Sequence, residues 1–256
     1  MCDLWQNTLV DPVPLGAIPE QIQFALQQLP PARHIKLYNS GSFFDIHAIP
    51  PEDYPAIAAL LRPFERVIVE SHPALIGEQC LRFRELLSGQ LEVAMGLETT
   101  HPEALEKLNK RVTLKQFAAA AESLRKQDID LRVFILVQPP FVPRDEALQW
   151  AQHSVDFAFD CGATAVTLIP TRAGNGAMEI LQQDGAFAPP TLRTYEQAVD
   201  YGLALKRGRL FADLWEIERI ATCAYCRIER IARLGHGNLT QSLQSVIACA
   251  HCQREP

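Results

Sequence analysis

A chain of 256 residues that is 48% hydrophobic and 21% charged holds enough apolar material for one large core and an appendage, so a main domain and a smaller second one are expected. Its formal net charge of −6 argues against a protein that coats nucleic acid through its overall field and leaves room only for a local basic face. No run approaches the roughly 18 apolar residues of a membrane span, and the first residues show neither a basic leader nor an apolar stretch, so a cytoplasmic protein without membrane contact is expected.

Along the chain, short β-branched or apolar runs alternate with longer amphipathic segments, which is the pattern of βα units around a parallel sheet. Strands are predicted at 34–38, 66–70, 91–96, 131–137 and 164–169. Helices are predicted near 19–29, 52–62, 73–88, 102–109, 114–127, 143–160 and 192–208. Thr100 with Glu103 and Thr113 with Gln116 have capping-box spacing, and Pro102 suits a first helical turn, where its missing N–H is no loss. The stretch from Pro170 to Pro190, with Gly174, Gly176, Gly185 and a Pro-Pro pair, reads as a long functional loop. Beyond Gly208 the composition changes: 210–231 has helical spacing, Gly235 and Gly237 read as a break, and a second helical stretch is predicted to end at Cys249.

Seven cysteines without a signal peptide, four of them in two C-x-x-C units, favour reduced thiolates and metal over disulfides. Cys223-Ala224-Tyr225-Cys226 and Cys249-Ala250-His251-Cys252 are separated by 22 residues and fit a tetrahedral structural zinc site. The same four thiolates suit an auxiliary iron–sulfur cluster or a redox-active dithiol pair, and His236 and His251 are substitute ligands that a full set of cysteines makes unnecessary. Cys80, inside a predicted helix, and Cys161, at a helix end, read as structural. Arg219, Arg227, Arg230 and Arg233 give the adjoining helix a basic face with the spacing to meet a phosphate backbone, or a solvated face paired with Glu218 and Glu229.

In parallel α/β folds, ligands gather at the carboxyl ends of strands, where loops converge and helix N-termini offer free N–H groups. The residues there are Asn39-Ser40-Gly41-Ser42-Phe43-Phe44-Asp45, then Glu70-Ser71-His72-Pro73, then Gly96-Leu97-Glu98-Thr99. Each has a plainer reading: a turn for Asn39 to Ser42, a helix cap for Glu70, a solvated side chain for Glu98.

Taken in order with Cys2-Asp3-Leu4-Trp5, Lys36-Leu37-Tyr38, Leu108-Asn109-Lys110 and Leu136-Val137-Gln138-Pro139-Pro140, these motifs resemble one family. It is the radical S-adenosylmethionine (SAM) group that includes the radical SAM subunit of archaeosine synthase and, more distantly, the catalytic subunit of Elongator. The resemblance covers about residues 1 to 205. It implies an α/β fold, a partial (β/α)6 TIM-type barrel of parallel strands, with a [4Fe–4S] cluster on three cysteines of a C-x3-C-x2-C loop and SAM on the fourth iron. Cys2 resembles the third of those cysteines, Asn39, Ser40, Gly41 and Ser42 the loop that receives the amino end of SAM, and Glu70 and Glu98 polar contacts to its methionine and ribose parts. The first two cluster cysteines and the strand before them would then lie upstream of Met1, so the reading frame is expected to start further upstream or the gene to be a remnant.

The resulting expectation is a radical SAM core over 1–208, incomplete at its N-terminus with the first strand missing, and a helical four-cysteine segment over 209–256. The expected task is tRNA base modification with SAM, a [4Fe–4S] cluster and zinc, alongside a partner enzyme subunit. The alternatives are a radical SAM enzyme acting on a small molecule or a protein, and a non-catalytic zinc-containing binding module.

Overall fold

The computed structural model describes Leu9, residues 11–39 and residues 41–252. Six strands, β1 (His34–Leu37), β2 (Arg66–Glu70), β3 (Gln90–Glu98), β4 (Asp130–Val137), β5 (Ala165–Pro170) and β6 (Arg209–Ala212), are hydrogen-bonded in the order of the sequence. All run parallel. Sequential order in a parallel sheet is the winding of a TIM-type barrel, not of a doubly wound sheet, which confirms the expected α/β class. Helices α1 (Ala17–Gln28), α2 (Tyr54–Leu61), α3 (Glu78–Leu86), α4 (Pro102–Lys107), α5 (Leu114–Lys126), α6 (Ala147–Asp160), α7 (Ala177–Gln183), α8 (Leu192–Leu205) and α9 (Arg227–Thr240) connect or follow the strands. Among the described residues no helix is long and apolar enough to cross a membrane.

Two compact units divide the chain. One comprises the described residues up to Gly96 together with Val112–Arg132. Its strands read as almost continuous apolar runs because parallel strands are covered on both faces: Val67 and Val69 of β2 pair with Leu91 and Val93 of β3, all fully buried. Phe43, Phe44, Tyr54 and Phe83 form an aromatic cluster with Phe43 and Phe83 centroids 4.7 Å apart, which fixes the segment leaving β1. Pairs of this kind contribute about 1 kcal/mol each beyond their buried area. Helix α5 begins at the predicted capping box, with Thr113 Oγ1 accepting from Gln116 N and Gln116 Oε1 accepting from Thr113 N.

The other unit comprises Leu97–Arg111 and the chain from Val133 onward. Here α6 and α8 bury small and aromatic side chains against the sheet, and the hydroxyl of fully buried Tyr195 lies 2.9 Å from both the Leu168 and Asp213 carbonyls, at the ends of β5 and β6.

Four local expectations are corrected. The cap of α4 is His101, whose Nδ1 accepts from Ala104 N at 3.1 Å, because Pro102 occupies the first helical position. Thr100 is bonded instead to Ser154 of α6. The loop between Pro170 and Pro190 contains α7. Residues 210–212, the start of the stretch 210–231 predicted as helical, belong to β6. Helix α9 runs through Gly235 and Gly237, and residues 243–249 have no regular structure.

Candidate active site and four-cysteine centre

Polar residues stand at the carboxyl ends of the strands, as the sequence predicts. In the first unit, Asn39 follows β1 and its buried Oδ1 has no hydrogen-bond partner. Ser42 Oγ accepts from His72 N at 2.9 Å, and Phe43 N donates to the Glu70 carbonyl at 2.8 Å, so the segments leaving β1 and β2 are laced together. Glu70 is the last residue of β2 and is half-buried. Ser40 and Cys2 lie outside the described residues.

Glu98, in the second unit, ends β3 in the left-handed region at φ 66°. The residue is 8% exposed, and its carboxylate pairs with Lys110 Nζ at 3.0 Å. Gln138 follows β4 at φ 54°, is 2% exposed, donates through Nε2 to the Ala188 carbonyl at 2.8 Å and leaves its buried Oε1 without a partner. Sequence reasoning assigned Gln138 no role; its signal was its place as the first polar residue after an apolar strand. After β5, Thr171 Oγ1 donates to the Val137 carbonyl at 2.9 Å and Arg172 pairs with Asp213 at 2.6 Å, closing the ends of β4, β5 and β6.

The two knuckles meet. The sulfurs of Cys223, Cys226, Cys249 and Cys252 all lie within 4.8 Å of one another, with Cys226–Cys252 at 3.3 Å and Cys223–Cys249 at 3.9 Å. Zinc–sulfur bonds of about 2.3 Å in a tetrahedron place sulfurs about 3.8 Å apart, so the spacing suits one ion. A four-iron cube spreads its thiolates over separate irons and needs them wider. The N–H groups of Tyr225 and Cys226 draw the Cys223 thiol down to about 7, whereas crowding by Cys226 pushes Cys252 up to about 12. Thiols that compete in this way for negative charge pose the problem a divalent cation solves.

Arg230 reaches Cys252 Sγ at 3.7 Å through Nη1 and grips the Glu196 carboxylate through Nε at 3.1 Å. Arg233 binds Asp200 at 2.7 Å and the Gln244 and Ser245 carbonyls. Both arginines are buried, so neither belongs to the basic face that the spacing suggested. His251 stacks on Tyr225. Cys80 is buried, which pushes its thiol up to about 12, and burial raises Cys161 as well; both fit a structural role.

No family model matches the chain. It is 28% identical over 203 residues to archaeosine synthase subunit beta of Methanosarcina acetivorans, covering 75% of this chain and 58% of the relative. It is 29% identical over 164 residues to an uncharacterized protein of Methanocaldococcus jannaschii, covering 62% of this chain and 45% of that one. The Elp3 of Methanocaldococcus infernus superposes with a TM-score of 0.58 at 13% identity, over 76% of this chain and 50% of that one, a likeness of fold. The likeness is to the radical SAM superfamily. Within it, the likeness is to the archaeosine synthase and Elongator group. The chain spans about half the length of the curated relatives it matches.

Within the first unit, the orphaned buried amide oxygen of Asn39 and the carboxylate of Glu70 have the chemistry to complement an ammonium group. The described residues do not suit the radical SAM cluster. Among them, the only group of three or more thiolates is the C-terminal four, and the one cysteine that the resemblance assigns to the cluster, Cys2, is not described.

Proposed function

We propose that this chain is the SAM-binding core of a radical SAM enzyme that modifies a tRNA base, and that its four C-terminal cysteines hold zinc. The observation that carries the reading is the likeness to archaeosine synthase subunit beta along three quarters of the chain. The name "subunit beta" of two relatives supports a partner subunit. The sulfur spacing supports zinc over an auxiliary cluster.

In this reading Asn39 and Glu70 would hold the ammonium end of SAM, and Glu98 would accept from a ribose hydroxyl. Lys110 pairs with Glu98 and orients its carboxylate, and the aromatic cluster around Phe43 anchors the residues that follow Ser42. In the family, SAM bound at a [4Fe–4S] cluster supplies a 5′-deoxyadenosyl radical. The described residues contribute the binding of SAM and the shape of the strand-end floor.

The test is SAM binding by this chain with and without tRNA, and a 5′-deoxyadenosine assay, with and without tRNA, on a form that carries a complete C-x3-C-x2-C loop and is reconstituted anaerobically with iron and sulfide. SAM binding that falls about tenfold or more in Glu70→Ala and in Glu98→Ala is expected, as for loss of a hydrogen bond to a charged group, together with 5′-deoxyadenosine formation stimulated by tRNA. Turnover indifferent to tRNA would instead support a small-molecule or protein substrate. A chain that retains zinc, takes up no iron and binds no SAM would be a non-catalytic binding module.

A further inference from the structure

Two features of the second unit take no part in SAM binding. The first is a cavity of about 800 Å3 bounded by the loop after β4, the start of α8 and the four-cysteine segment. Its lining carries five arginines against two carboxylates, and the ion pairs show which charges are already met. Arg230 is held by Glu196, Arg233 by Asp200, and Arg219 by Glu216 at 2.9 Å and the Ala173 carbonyl at 2.7 Å. Arg144, on the loop after β4, and Arg193, in the first turn of α8, are exposed and make no ion pair or side-chain hydrogen bond among the described residues. Both therefore offer unspent positive charge at the rim, beside the N-terminus of a 14-residue helix. In a chain of net charge −6, such a concentration is a local device.

The second feature is the pairing of Tyr225 with His251. Each is the third residue of its knuckle, and bringing the four cysteines together lays the two rings face to face, with centroids 3.7 Å apart and planes within 8°. Tyr225 is 73% exposed and His251 is exposed too, so the stack buries little and presents flat π surface to solvent. The cavity is lined by Thr222, Cys223, Cys249 and Cys252, so the stack rises from the same wall.

Cations at a concave rim recognise phosphates, and an exposed flat ring surface recognises an unpaired base. An acidic peptide would use the first feature and leave the second idle. We propose that this face binds RNA, with Arg144 and Arg193 taking backbone phosphates and the Tyr225–His251 stack forming a platform for an unpaired base. The inference rests on the tRNA reading above and adds the surface that engages the strand.

The experiment is fluorescence anisotropy of a labelled tRNA transcript titrated with the full chain at several salt concentrations, with zinc content and melting temperature checked for every variant. Arg144→Ala/Arg193→Ala should weaken binding about tenfold or more and reduce the salt slope by about one for each phosphate no longer engaged. Tyr225→Ala should weaken binding about tenfold with the salt slope unchanged, and Tyr225→Phe should restore it. Wild-type binding with both variants unaffected overturns the assignment of this face while the tRNA reading stands. A wild-type chain that binds SAM and no tRNA overturns both. Loss of a co-purifying protein in the arginine variant, with RNA affinity intact, overturns it in favour of a subunit interface.

Discussion

Glu98 and Gln138 both close a strand in the left-handed region, a conformation that costs a residue with a side chain about 1–3 kcal/mol and that surrounding structure must hold in place. Strand ends that carry such strain are where a side chain has been aimed instead of relaxed. Glu98→Gly separates the two contributions: the variant should melt no lower than the wild type, since glycine accepts φ 66° freely, yet bind SAM about tenfold more weakly. A lower melting temperature with unchanged SAM affinity would show that Glu98 is there for its ion pair with Lys110. Glu92 is a different kind of carboxylate, fully buried in mid-strand and held by Arg132 at 2.7 Å and Arg66 at 2.9 Å, with Arg66 also paired to Asp130. Glu92→Ala strands the buried Arg132 and should cost about 3–5 kcal/mol in denaturant unfolding, whereas Glu92→Leu/Arg132→Met should recover most of that loss. Glu70 and Glu98 were legible in the sequence because each follows an apolar run. Glu92 and Arg132 were not, since a charge inside a strand normally signals a solvated face, and only the register of the sheet shows that this one is covered.

At the scale of elements, the capping box of α5 and the strand–helix alternation were legible because both are local. Strand β6 was not. Leu210, Leu214, Ile217 and Ile220 recur at helical spacing, and only pairing with β5 and the amides of α9 turn residues 209–212 into a strand. Asn238 accepts from Ala212 N at 2.7 Å and donates to Ala212 O at 2.9 Å, and Gln241 does the same for Leu210 at 2.7 and 3.0 Å. Two side-chain amides of one helix thus complete the hydrogen bonds of the last strand in the sheet order, an edge that would otherwise template association. Asn238→Leu should cost about 1–3 kcal/mol, the penalty for buried backbone groups left unpaired, and should raise concentration-dependent aggregation on heating. Asn238→Asp, which keeps the acceptor and loses the donor, should fall between. Light scattering beside a thermal melt reads both effects.

Across the whole molecule, the βα alternation and the paired C-x-x-C units made the fold class and the four-cysteine centre legible, while which arginines serve the core and which remain for a ligand waited on tertiary structure. The way α9 is attached decides what a metal ion on the four cysteines would support. Arg230 to Glu196, Arg233 to Asp200, Asn238 to Ala212 and Gln241 to Leu210 fasten the helix without any cysteine. Residues 243–249 have no regular structure, and Cys249 and Cys252 are joined to the rest chiefly through the other two thiolates and the grip of Arg233 on the Gln244 and Ser245 carbonyls. Removing the ion with a chelator should therefore release one zinc per chain and sharply raise hydrogen exchange in residues 246–252, while α9 and the strands keep their protection and the melting transition persists. Folding that collapses entirely on chelation would instead make the four cysteines part of the core, as in small domains that exist only with their metal. Because Tyr225 and His251 are stacked only while the knuckles are joined, the same treatment should weaken tRNA binding to the level of Tyr225→Ala, and chelation should add nothing further to that variant's defect.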